Sequence, residues 1–141
     1  MSDAAEKPRP TLRGEEAPFF AAAAEGRLAI QRCPACQRAV FYPRTICPHC
    51  HDGIPEWVDA SGRATVYSFS VLQRAGLPGF EADVPYVVAL VDLEEGVRIM
   101  ANIVKVPPDE VRIGMPVSVT FERRAEDFVV PQFEPAQRRS P

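Results

Sequence analysis

Cys33-Pro34-Ala35-Cys36 and Cys47-Pro48-His49-Cys50 are the segments of this chain whose reading decides the rest. Each places two thiols on one tight turn, and the ten residues between them suffice for a short β-hairpin that brings the turns together. Four sulfurs so arranged form a tetrahedron. Zinc accepts four thiolates at about 2.3 Å without redox demand, and a closed set of four protein ligands leaves no position for a substrate water. The expected site is therefore a structural Zn2+ held by Cys33, Cys36, Cys47 and Cys50, with iron in a rubredoxin-like centre as the rival ion. Pro34, Gln37, Pro48, His49 and Asp52 are too polar a setting for unliganded core cysteines. His49 and His51 flank the last cysteine, so one Cys-to-His exchange of ligand is the alternative donor set. A tetrathiolate zinc centre carries a formal charge of about −2, which the neighbouring Arg32, Arg38 and Arg44 are expected to balance, unless they contact a partner.

Upstream, Glu15 to Glu25 carries Phe19, Phe20 and four consecutive alanines, with acidic residues in its first turn and Gly26 at its end. These are the marks of a short helix with a left-handed cap, its phenylalanines forming a packing face. From Arg27 the pattern changes to short runs, Leu28 with Ile30 and Val40 with Phe41, interrupted by the cysteines. A module of this size has little core of its own and needs the metal to hold it.

Downstream of Trp57 the reading is all β. Gly62 to Val71 alternates, Tyr86 to Leu93 is a dense apolar run, and Val97 to Val104 follows the turn Glu94-Glu95-Gly96. Pro107 to Val111 permits one helical turn, Gly114 breaks it, and Val117 to Phe121 and Phe128 to Phe133 complete five strands. Three strands, a short helix and two more strands match a small Greek-key barrel of the OB type, whose closure removes exposed edges. The predicted fold is mainly β: tails at 1–13 and 136–141, an N-terminal helix and zinc ribbon at 14–58, and a five-stranded OB-fold barrel at 59–135. An apolar fraction of 46% supports a real core, and fifteen prolines fall largely at segment edges.

Met1 to Pro10 is polar and proline-rich, unlike a secretory leader, and no run approaches the roughly 20 apolar residues of a membrane span. The expectation is a cytoplasmic protein with reduced thiols and no membrane partner. Net charge is −3, and Ala60 to Pro135 holds seven Lys or Arg against eleven Asp or Glu. Such a surface repels phosphate backbones, which argues against nucleic acid as partner, although Tyr67, Phe69 and Tyr86 could stack on bases.

Both histidines sit in the second cysteine turn, and nothing after His51 is His or Cys. A Ser-His or Cys-His nucleophile pair cannot be built in the barrel, and no phosphate-binding glycine loop is present. An enzyme acting alone is not expected. The connection Gln73 to Phe80 is long and exposes Leu77 and Phe80. In OB barrels the first long loop and the loop before the last strand flank the binding face. Arg74, Phe80, Tyr86, Arg98, Arg123 and Arg124 are accordingly the candidate binding residues, with Tyr86 and Phe80 alternatively plugging the barrel end.

The order of motifs resembles the acyl-CoA-associated family long catalogued as domain of unknown function thirty-five, a rubredoxin-like zinc ribbon followed by an OB-fold. The matching pieces run from Pro18-Phe19-Phe20 and Gly26-Arg27-Leu28 through both cysteine pairs, Tyr42-Pro43-Arg44 and Trp57. They continue through Ser61-Gly62-Arg63, Pro78-Gly79-Phe80, Pro85-Tyr86, Glu95-Gly96 and Ile113-Gly114-Met115 to Phe133-Glu134-Pro135. Gln37 and Ala64 stand where that family often has glycine. The resemblance implies a non-catalytic subunit that docks on a thiolase-like enzyme or an enoyl-CoA hydratase-like one. It further implies that the subunit helps bind or channel an acyl-CoA in lipid or steroid side-chain metabolism. Arg74, Arg98, Arg123 or Arg124 would then meet CoA phosphates, and the loop at Phe80 the enzyme or the acyl chain.

Overall fold

The computed structural model describes residues 14–76, 78–126 and 128–136; the predicted tail 1–13, Leu77, Asp127 and all of the predicted tail 136–141 except Ala136 lie outside them, and Ala136 donates its N–H to the Pro116 carbonyl at 3.1 Å. A 3-10 turn, Gly14–Glu16, leads into helix α1, Ala17–Ala24. The helix is shorter than the sequence suggested because its acidic start forms the tighter turn. It ends in a Schellman motif: Gly26, at φ 78°, donates to the Ala23 carbonyl and Arg27 to that of Ala22, both at 2.9 Å.

Strand β1, Ala29–Arg32, is the centre of a three-stranded antiparallel sheet, flanked by β2, Ala39–Val40, and β3, Glu56–Asp59. The expected hairpin between the two cysteine pairs is not the one formed. Gln31 pairs with Val40 and Arg32 with Ala39, so the hairpin encloses the first pair, and β3 arrives on the other side of β1 from beyond the second. The reason is visible in Gln31: its buried amide accepts from the Arg44 N–H at 2.7 Å and donates to the Arg44 carbonyl at 3.0 Å. That pair of bonds holds the 41–46 segment as a loop rather than a strand.

Five strands then close a barrel: β4, Arg63–Leu72; β5, Tyr86–Leu93; β6, Arg98–Ile103; β7, Pro116–Ala125; β8, Phe128–Pro135. Their order, β4-β5-β6-β8-β7 with β7 back on β4, is that of an OB-fold, and a single 3-10 turn, Pro108–Glu110, stands where one helical turn was expected. Strand β7 runs past the predicted Phe121 because the β7–β8 hairpin stays in register through Ala125 opposite Phe128. Val87, Ala89, Val91 and Leu93 of β5 point inward, with Tyr86, Val88, Leu90 and Asp92 between them on the outer face. A bulge between Val66 and Ser68 lets β4 present Ala64 and Val66, then Phe69 and Val71, to the core.

The closing seam is short. Strands β6 and β8 run parallel with one residue pair, Ile103 and Phe133. Side chains do the rest: Gln132, 2% exposed, accepts from the Asn102 N–H at 2.7 Å and donates to the Asn102 side-chain oxygen at 3.0 Å. Asn102 in turn donates to the Val87 carbonyl at 2.9 Å. Helix α1 packs against β8, with Phe20 and Phe128 ring centres 5.3 Å apart. Phe19, Leu28 and Ile30 belong to the same apolar core as the barrel interior, so α1 and β1 are packed on the barrel. No helix among the described residues is long and apolar enough to cross a membrane.

Candidate metal centre and binding cleft

The two cysteine turns are built alike. Cys33 ends β1 and donates its N–H to the Arg38 carbonyl at 2.9 Å; Gln37 N–H returns to the Cys33 carbonyl at 2.7 Å. In the second turn His51 N–H donates to the Cys47 carbonyl at 2.9 Å, and His49 N–H to the Cys47 sulfur at 3.4 Å. Gln37 (φ 68°) and His51 (φ 61°), each directly after a CxxC, take the left-handed conformation. Gln37 thus makes the turn that a glycine would make, steadied by its side chain on the Pro34 carbonyl at 3.0 Å.

All four sulfurs lie within 4.8 Å of one another, with Cys33–Cys50 and Cys36–Cys47 each at 3.7 Å. A tetrahedron of Zn–S bonds near 2.3 Å has edges of about 3.8 Å, so the donor set fits a four-coordinate zinc. The expected ligands are brought together without a histidine: His49 turns its Nε2 to the Ala39 carbonyl at 3.1 Å, and His51 is exposed. Apart from the sulfurs, the cluster around the site is a single valine, Val40, so the metal takes the place of a core.

The thiols differ in acidity. Burial pushes Cys47 up, yet the N–H groups of Cys50 and His49 and the neighbouring sulfurs outweigh it and bring it down to about 6. Cys50 is lowered by the N–H groups of Asp52 and Gly53. For Cys36 the N–H of Arg38 pulls downward, but burial and the three other sulfurs raise it to about 11. Without a cation the cluster thus shares its protons, and a divalent ion would displace them.

Sequence reading missed Gly53. A Cβ there would overlap the Cys33 sulfur and crowd the Ala35 methyl at 3.0 Å, and its carbonyl accepts the Cys47 N–H at 2.9 Å. Absence of a side chain, rather than backbone freedom, is what the position requires.

The six candidate binding residues divide. Phe80, Tyr86 and Arg124 line one cleft of about 340 Å³, with Asn102, Lys105 and Glu122 among its other walls. Phe80 and Tyr86 ring centres are 5.8 Å apart, and the Arg124 guanidinium sits 5.5 Å from the Phe80 ring centre, paired to Glu122 at 2.7 Å. Arg98 lies at the other end of β6, over the Tyr67 ring at 3.4 Å and paired with Asp92 at 2.6 Å. It borders a separate cleft where the barrel meets the ribbon, opposite Arg38 and His49. Arg123 is exposed and donates to the Glu126 carbonyl at 2.6 Å, and Arg74 is exposed on the β4–β5 loop. Of the three aromatics that could have stacked on bases, Tyr67 is 49% exposed with Arg98 over one face of its ring, Phe69 packs against the core and Tyr86 lines the Phe80 cleft.

Comparison with known proteins places this geometry. Residues 20–56 match the family model described as the ChsH2 rubredoxin-like zinc ribbon domain, and residues 57–122 the one described as the ChsH2 C-terminal OB-fold domain. A probable enoyl-CoA hydratase alpha subunit of Thermomonospora curvata is 42% identical over 130 residues, 92% of this chain and 40% of that one. The chain therefore spans two fifths of that relative. A DUF35 domain-containing scaffold protein of Methanocaldococcus jannaschii is 42% identical over 97 residues, 68% of each chain. The solved structure of an Ltp2-ChsH2(DUF35) aldolase is similar at TM-score 0.82 and 41% identity, over 90% of this chain and 98% of that one. The chain belongs to the ChsH2 and DUF35 family of rubredoxin-like zinc ribbon and OB-fold proteins.

Proposed function

We propose that this chain is a non-catalytic accessory subunit that docks on a thiolase-like or hydratase-like enzyme and helps to bind or channel its acyl-CoA. The observation that carries the reading is a contrast between two sites. All four thiols are gathered in the closed metal site and both histidines flank it, while the open cleft offers the Arg124 guanidinium and two aromatic rings, and its lining holds no Ser, Thr, Cys or His. Such a cleft suits a ligand with an anionic part and an apolar part, recognised by charge-assisted bonds from Arg124 and ring contacts from Phe80 and Tyr86. Zinc, when bound, supplies rigidity to the ribbon and no chemistry. A relative named as a scaffold protein supports the accessory role, and those named as a hydratase alpha subunit and as an Ltp2-ChsH2(DUF35) aldolase support the kind of enzyme it would serve.

Its test is co-expression with thiolase-fold and enoyl-CoA hydratase candidates from the same genome, followed by purification through a tag on this chain. A complex that turns over an acyl-CoA faster than the enzyme alone, and that loses about tenfold in acyl-CoA affinity with Arg124→Ala and Phe80→Ala, is the expected result. Turnover by this chain alone, or no complex with any candidate, would refute it.

A further inference from the structure

We infer that the enzyme subunit seats on one continuous apolar strip, which runs from the outer face of β5 and β6 into the aromatic groove between ribbon and barrel. This rests on the accessory-subunit reading and names the face it uses.

The strip follows from register. On the outer face, Ser68 of β4 pairs with Leu90 of β5, and Leu90 with Met100 of β6. Ser70, Leu72 and Val88 extend the same surface. Met100 is 59% exposed and is shared with the neighbouring groove of about 340 Å³, whose walls are Phe20, Phe41, Tyr42, Val130 and Pro131. Tyr42, 60% exposed, stands at its lip. None of the residues lining the sheet part of the strip is charged, and ion pairs bound it: Arg98–Asp92 at one end of β6 and Arg124–Glu122 beside the Phe80 cleft at the other. An apolar centre depleted of charge inside a polar rim is the anatomy of a protein interface. In an OB-fold this is also the face that ordinarily meets ligand, and here its chemistry is apolar rather than basic.

Kinship says what covers it. The solved relative that is 41% identical over 90% of this chain is named as an aldolase of Ltp2 with ChsH2(DUF35), so the partner to which this face is assigned is an enzyme subunit. Its apolar, charge-depleted centre suits a stable protein partner better than an anionic small molecule. The groove wall Phe41-Tyr42-Pro43 hangs between the two cysteine turns, fixed through Arg44 by Gln31, so the metal positions one side of the seat.

The experiment uses the full chain, co-expressed with the candidate enzymes above, as wild type, Met100→Glu, Leu90→Glu and Ile113→Glu. Ile113 is 71% exposed on the loop before β7, outside the strip, and serves as the control. Expected is a complex with wild type and Ile113→Glu, and at least tenfold weaker capture with Met100→Glu and Leu90→Glu. Zinc content and circular dichroism of all four should agree, which separates lost docking from lost folding. If the wild type binds an enzyme and both strip variants bind it equally well, the face is wrong while the accessory role stands. If the wild type binds none, both fail. A wild-type dimer that the strip variants convert to monomer, with enzyme capture intact, would assign the strip to a second copy of this chain and overturn the inference.

Discussion

At the residue scale, the four ligands were legible because a doubled C-x-x-C is local: each pair needs one turn, and a turn is a matter of a few residues. Gly53 and Gln31 were not, because each acts on a segment far along the chain, Gly53 on the Cys33 sulfur and Gln31 on the Arg44 backbone. Gly53→Ala should therefore displace the Cys33 sulfur and weaken zinc binding at least tenfold in a chelator competition, with the barrel unaffected. Gln37 makes the converse case. Its φ of 68° costs a side-chain residue about 1 kcal/mol that glycine avoids, while glycine loses more entropy on folding and forgoes the bond to Pro34. Gln37→Gly is accordingly predicted to change ribbon stability by no more than about 1 kcal/mol, measured by thermal melting of the zinc-loaded protein.

At the scale of elements, alternation in β4, the dense apolar run of β5 and the turn residues between runs marked all five barrel strands. What they could not mark was the seam between β6 and β8. Gln132 interrupts the apolar run Phe128 to Phe133, while Asn102, level with Val88 on β6, stands at an outward position where a polar residue is ordinary. Such an interruption is the signal to look for, but its meaning depends on a partner thirty residues away. Replacing Gln132 by leucine removes the acceptor of the Asn102 N–H and is predicted to destabilise the barrel by about 1–3 kcal/mol in denaturant melts. The β5–β6 turn offers a contrast. Its Glu94 is held below the ordinary carboxylate range by the hydrogen-bonded guanidinium of Arg63, so its contribution is complete at neutral pH and fades as acid protonates it. Because that pair is solvent-exposed, Glu94→Gln should lower the melting temperature only slightly at pH 7, and the difference should vanish on acidification and in high salt.

For the whole molecule, the sequence suggested a ribbon and a barrel in succession, and both are present, but they share more than succession implies. Phe19, Leu28 and Ile30 are part of the barrel's core, whereas the cysteine turns have Val40 and the metal. Loss of zinc should thus have a boundary. In Cys47→Ser, amide exchange is predicted to become fast through residues 33–53, while α1, β1 and the barrel keep their protection. The binding residues were the least legible part. Fold analogy named six, and packing joins Phe80, Tyr86 and Arg124 while leaving Arg74, Arg98 and Arg123 elsewhere, because sequence does not say to which side of a strand or loop a guanidinium turns.

The account joins a metal-held ribbon to a barrel that works on an enzyme's behalf. Native mass spectrometry of this chain co-expressed with its candidate thiolase-like enzyme tests both halves at once. The predicted spectrum is an enzyme assembly carrying this chain, each copy heavier by one zinc ion. A chain that flies alone beside a complete enzyme, or that joins it without metal, would contradict the account.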